Sequence, residues 1–136
     1  MTSQTPLGPV LAHETLKQID LYLEEFYPES VDAGNAMAIA DLGNAQIRGL
    51  ETLITSASRF SQIVNYIKNQ IGKEKRGRWL QIGPLLLGQL EQLEKEADEM
   101  GREDPSTKLE IKMKLARGWA KQVVTHYLYS MSLKGK

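Results

Sequence analysis

The sequence predicts an all-α fold: one compact bundle of about five helices with no sheet, occupying residues 1–136 as a single domain. Three observations carry that prediction. Apolar residues recur at intervals of three and four along nearly the whole chain, the spacing that gives a helix one buried face. No stretch alternates apolar and polar residues between turn signals, as a half-buried strand would. The composition, 41% hydrophobic and 25% charged over 136 residues, supports one core and leaves too little chain for two. Residues 1–9 and 132–136 read as flexible ends.

The first helix is expected from about Val10 to Tyr27, with Ala12, Leu16, Ile19, Leu23 and Phe26 as its stripe and Pro28 as its stop. A second runs from Val31 to Ile54. Ala33, Ala36, Ala40 and Gly43 would let another helix come close, and a break near Gly43 is expected because each internal glycine costs about 1 kcal/mol against alanine. Thr55, Ser56 and Ser58 offer N-caps for a third helix, which buries Phe60, Ile63, Val64, Ile67 and Ile71 and stops at Gly72. After the basic loop Lys73 to Arg78, a fourth helix begins at Trp79 or at Pro84. It carries a seam of Leu86, Leu90, Leu93, Ala97 and Met100 and ends at Gly101. Asp104-Pro105, or the capping box Thr107 to Glu110, opens the longest helix, with Ile111, Leu115, Trp119, Val123 and Tyr127 on its core edge. Trp79 and Trp119 lie on or beside apolar stripes and read as core anchors rather than base-stacking platforms.

Catalytic signatures are missing. Without cysteine there is no disulfide, thiolate metal site or sulfur nucleophile. His13 and His126 stand apart, with no HExxH spacing and no Glu-x-x-His pair of the kind that di-metal bundles use. Gly72-Lys73 superficially matches a phosphate loop, but Ile67 and Glu74 occupy two of its required positions. No catalytic residue, metal or cofactor is expected. The N-terminus lacks a basic start with a long apolar run, and no apolar run approaches the ~20 residues of a membrane span, so the chain is expected to be cytoplasmic, with no membrane partner.

Charge is where the sequence speaks about binding. The formal net charge is zero, yet it is sorted into four blocks. Met1 to Ser58 has eight acids against Lys17 and Arg48. Arg59 to Gly88 has six cations against Glu74. Gln89 to Thr107 has seven acids against Lys95 and Arg102, and Lys108 to Lys136 has seven cations against Glu110. Blocks of this kind build separate basic and acidic faces on one small domain. On the third helix Arg59, Gln62, Tyr66, Asn69 and Lys73 form a polar stripe opposite the core, and Lys75, Arg76 and Arg78 extend it. Guanidinium and ammonium groups neutralise phosphates, amides reach sugar or base edges, and tyrosine stacks on unpaired bases. On the last helix Lys114, Arg117 and Lys121 stand at i, i+3 and i+7. If both stripes face one way, the domain offers a groove for a nucleic-acid backbone. Glu91, Glu94, Asp98 and Glu99 form an acidic face or a docking surface for a basic partner.

The stretch Thr55 to Phe60, leading into Ile63-Val64-Asn65-Tyr66-Ile67-Lys68, resembles the central helix of the small α-helical subunits of type III CRISPR effector complexes. One branch of that family begins the helix with Thr-Ser, two residues, then Arg and an apolar residue. Thr55, Ser56, Arg59 and Phe60 fit that spacing, while Ala57-Ser58 stands where the branch has Gln-Ile. The resemblance covers about Leu53 to Met131. It implies a non-catalytic subunit in several copies, stacked on copies of itself and on other effector-complex subunits, and touching the guide RNA–target RNA duplex without reading sequence. The alternative is a helical protein–protein adaptor with basic and acidic docking faces and no nucleic acid.

Overall fold

A computed structural model describes residues 11–135, which form six α-helices and no strand: α1 His13–Glu25, α2 Tyr27–Ile39, α3 Asn44–Ser56, α4 Phe60–Lys73, α5 Arg78–Met100 and α6 Pro105–Lys134. The all-helical class is as expected. The sixth helix arises because the expected Val31 to Ile54 helix is two elements. Asp41 takes the left-handed conformation, φ 63°, and the last turn of α2 closes on it. The Asp41 N–H bonds Ala38 O at 3.1 Å, and the Leu42 N–H reaches back to Met37 O at 3.3 Å. This is a Schellman closure, and Met37 and Leu42, the two residues it joins, are both fully buried. The break falls where glycine was expected to place it, but the residue that makes it is an aspartate. Gly43 is the extended N-cap of α3.

Pro28 does not end the first helix. It sits in the first turn of α2, where a missing N–H costs nothing, and the corner is Phe26, which caps α1 and precedes α2. The hydroxyl cluster is corrected as well. Thr55 Oγ1 and Ser56 Oγ donate back to Glu51 O and Thr52 O, each at 2.9 Å, so they finish α3 rather than start α4. The N-terminus of α4 is held by Gln62, whose Oε1 accepts from the Ser58 and Arg59 backbone N–H groups at 3.0 Å. α5 starts at Arg78 and carries Pro84 inside it. At α6 the Asp104-Pro105 start is the one used, with Asp104 accepting from the Thr107 N–H at 3.3 Å. Residues 1–9 of the expected flexible ends lie outside the described residues. At the other end Ser132 to Lys134 continue α6, and Lys134 Nζ donates to Ala38 O at 3.0 Å.

α6, thirty residues and so about 45 Å long, packs on all five other helices and most extensively on α2. Its predicted edge, Ile111, Leu115, Trp119, Val123 and Tyr127, is fully buried, joined by Met113, Ala116, Ala120 and Val124. The α2–α6 approach is backbone to backbone. A Cβ on Gly34 would stand 2.6 Å from Val123 O and 2.9 Å from Tyr127 N. Buried Gln89 ties three helices together, donating to Glu29 O and accepting from Trp119 Nε1, both at 2.8 Å. Both tryptophans are in the core; Trp79 meets Tyr66 edge-on with centroids 6.3 Å apart. No described helix is long and apolar enough to cross a membrane.

The close approach makes a paired prediction. Gly34→Ala forces α2 and α6 apart and should cost about 1–3 kcal/mol by overpacking, more than the helix propensity it gains. Gly88→Ala, within α5 and with nothing inside 4 Å of the new methyl, should stabilise by about 0.5–1 kcal/mol. Thermal melts of both variants check the signs, and two equal shifts would contradict the packing.

Candidate nucleic-acid interface

α4 ends, and α5 begins, around a short basic turn. Gly77 adopts φ 78°, which lets the chain double back between the helices. Glu74 then serves α5. Its Oε1 accepts from the Trp79 N–H at 2.8 Å and its Oε2 from Arg78 Nε at 2.7 Å. These bonds, the Trp79 N–H first and Arg78 next, hold the Glu74 carboxyl below its ordinary range despite partial burial. Arg78 also donates through Nη1 to Asp41 O at 3.0 Å, clamping α5 to the α2–α3 corner. Two of its donor positions are thus committed to the fold, a structural role that the charge pattern did not reveal.

The other members of the predicted set divide by what holds them. Lys73, Lys75 and Arg76 are exposed and have no ion-pair or hydrogen-bond partner among the described residues. Arg59 is exposed at the N-cap of α4, its guanidinium likewise unpaired, and Asn69 is exposed on the same helix. Gln62 is half-buried with its oxygen turned to the backbone. Tyr66 is half-buried against Trp79, and its hydroxyl accepts from Gln70 Nε2 at 2.9 Å. Gln62, Tyr66 and Asn69 do come together, lining a shallow depression between α3 and α4 with Leu53, Asn65 and Lys68. Asn65 and Lys68 were not among the expected contacts. Their positions at i+3 and i+6 from Gln62 already contained the signal.

Lys114, Arg117 and Lys121 are elsewhere. They line a cleft of about 610 Å³ between α1, α3 and α6 with Leu16, Ile19, Asp20, Leu23, Glu51 and Thr55, and no residue is common to the two depressions. Arg117 Nη2 donates to Ala57 O at 3.2 Å, pinning α6 to the end of α3. The two stripes therefore line different depressions, α3 giving Leu53 to one and Glu51 and Thr55 to the other, while Arg117 reaches to within two residues of Arg59 at the start of α4. Part of the charge sorting is also consumed internally. Lys112 of α6 meets Glu94 at 3.1 Å and Asp98 at 3.6 Å on α5. Glu14, Glu25, Glu96 and Glu99 crowd a cleft between α1 and α5. Burial, then Glu99 and Glu25, push the Glu96 carboxyl above its ordinary range.

No family model matches the chain, and no significant likeness to a curated protein or to a solved structure is found.

The two perturbed carboxylates give opposite pH behaviour. Glu74 is held below its unfolded value of 4.5, so its stabilisation is complete above pH 4.5 and lost as pH falls through the lower folded value. Glu74→Gln should lower stability at neutral pH, with the deficit vanishing in acid. Glu96 is raised above 4.5, so its charged form destabilises the fold once pH exceeds the folded value, and the penalty disappears below pH 4.5. Glu96→Gln should raise the melting temperature at neutral pH and have no such effect at pH 4. Denaturation curves across pH 3–7 distinguish the two; shifts of one sign would contradict the assignments.

Proposed function

We propose that this chain is a non-catalytic subunit of a ribonucleoprotein and binds the nucleic-acid backbone without sequence preference through the α4–α5 end of the bundle. The observation that carries the reading is the set Lys68, Lys73, Lys75 and Arg76. These are four exposed cations within nine residues, none with a partner among the described residues, while the only acid among them, Glu74, is occupied by Arg78 and the start of α5. Arg59 at the other end of α4, with Asn65 and Asn69 between, extends a track of phosphate ligands and amide donors along one helix. The cations of this set neutralise phosphates and do not distinguish one base from another. Salt-dependent, sequence-blind binding is its chemical consequence. The resemblance of Thr55 to Lys68 specifies the proposal further. The complex would be a type III CRISPR effector, with guide RNA–target RNA, other effector-complex subunits and copies of this chain as the partners.

The test is a salt titration of binding to a short unstructured RNA. Wild-type affinity should fall steeply with salt. The combined Lys73→Ala, Lys75→Ala, Arg76→Ala variant should bind more weakly and reduce the log–log slope by about 0.7 for each phosphate it no longer neutralises. Stability should change by only about 0.5 kcal/mol or less per site, because the three side chains are exposed and have no polar partner among the described residues. Arg78 is left intact because its loss would disturb α5. An unchanged slope, or affinity that varies strongly between unrelated sequences, would overturn the proposal.

A further inference from the structure

The cleft between α1, α3 and α6 has a chemistry that does not suit a phosphate backbone. Its floor is apolar. Ile19 and Ala120 are buried there, Leu23 is half-buried with Cδ1 lying where a side chain on Gly118 would be, and Leu16 remains 37% exposed. Lys114, Arg117 and Lys121 follow one another along the α6 wall, while Asp20 and Glu51 stand on α1 and α3. Glu51 is answered by Arg48 at 3.4 Å, and Arg117 is directed to a neutral carbonyl, Ala57 O. Lys114 and Lys121 are exposed with no ion-pair partner among the described residues. They are two helical turns apart, about 10 Å along α6.

We propose that this cleft is a docking site for an acidic amphipathic helix of a partner protein. Leucine-like side chains at i, i+3 and i+7 would cover exposed Leu16 and the open part of Leu23, and carboxylates two turns apart on the flanking edge would meet Lys114 and Lys121. Charge complementarity selects this occupant. Only the α6 wall is cationic, and Asp20 on the α1 wall repels a polyanion charged on all sides. A helix with acids on one edge alone presents negative charge to α6 and none to α1. Exposed Leu16 gains by such a contact and gains nothing from a sugar–phosphate chain. This inference is independent of RNA binding at the α4–α5 end and removes Lys114, Arg117 and Lys121 from the nucleic-acid set.

The experiment uses three probes with the full chain: a synthetic amphipathic helical peptide with leucines at i, i+3 and i+7 and glutamates on one flank, the same peptide with lysines for glutamates, and a homopolymeric single-stranded RNA. Binding is read by fluorescence anisotropy at physiological salt. The acidic peptide should bind wild type at least tenfold more tightly than the lysine peptide. Lys114→Glu with Lys121→Glu should invert that preference. Leu16→Ser should weaken the acidic peptide and leave RNA untouched, and Lys114→Ala with Lys121→Ala should likewise spare RNA. Both lysines are exposed, so circular dichroism should show the fold intact. Equal binding of the two peptides, a preference that survives the charge reversal, or a tenfold loss of RNA affinity in the alanine pair would overturn the proposal. The last result would make the cleft a nucleic-acid surface instead.

Discussion

Everything in this fold hangs on α6 being surrounded, and α6 is surrounded because α2 can reach its backbone. Gly34 has no side chain, so Val123 O and Tyr127 N come within 3 Å of where a methyl would stand. With α2 seated so close, Gln89 can bridge Glu29 O and the Trp119 indole. The Tyr127 hydroxyl can reach Leu42 O at 2.5 Å, and Lys134 can reach Ala38 O. The bonds of Gln89, Trp119 and Tyr127 satisfy polar groups that burial would otherwise leave costly, at about 1–3 kcal/mol per unpaired group. These bonds follow from the helix approach; they are not what drives it.

The same constraint decides which charges are available. Nine residues of α6 are fully buried, and in its middle the exposed Lys114 and Lys121 lie along one wall, facing α1 and α3. Lys112 is spent on Glu94 and Asp98 of α5, which neutralises across an interhelix seam what the sequence shows as opposed blocks. At the α4–α5 turn the single acid is used to start α5, so the neighbouring lysines and Arg76 stay uncompensated. A chain of zero net charge thus carries two cationic surfaces, one with an amide-lined track beside it and one with an apolar floor.

Much of this was legible in the sequence. The stripes of α4, α5 and α6 emerge with nearly the residues expected, since a three-and-four spacing leaves little freedom over which face is buried. The termini were less legible. Thr55 and Ser56 have the chemistry of N-caps, but the same hydroxyls bond the preceding turn equally well, and packing decided between the two. Asp41 in the left-handed region had no local signal beyond its neighbour Gly43. Among the candidate contacts, periodicity placed Arg59, Gln62, Tyr66 and Asn69 on one helix but was silent about Gln62 capping its own N-terminus and Tyr66 leaning on Trp79. Whether the stripes of α4 and α6 met depended on the position of α3, a long-range fact that no local pattern contains.

Engagement of RNA by the α4–α5 cations and not by the α6 cleft is the claim on which the functional account rests. Backbone amide shifts of labelled protein, followed while a short unstructured RNA is added, test it most directly. The account predicts that shifts will concentrate at Arg59, Asn65, Lys68, Asn69 and Lys73 to Arg76, with Lys114 to Lys121 unmoved. Perturbations of equal size and equal midpoint at Lys114, Arg117 and Lys121 would contradict it, because one ligand would then be engaging both faces as a single groove.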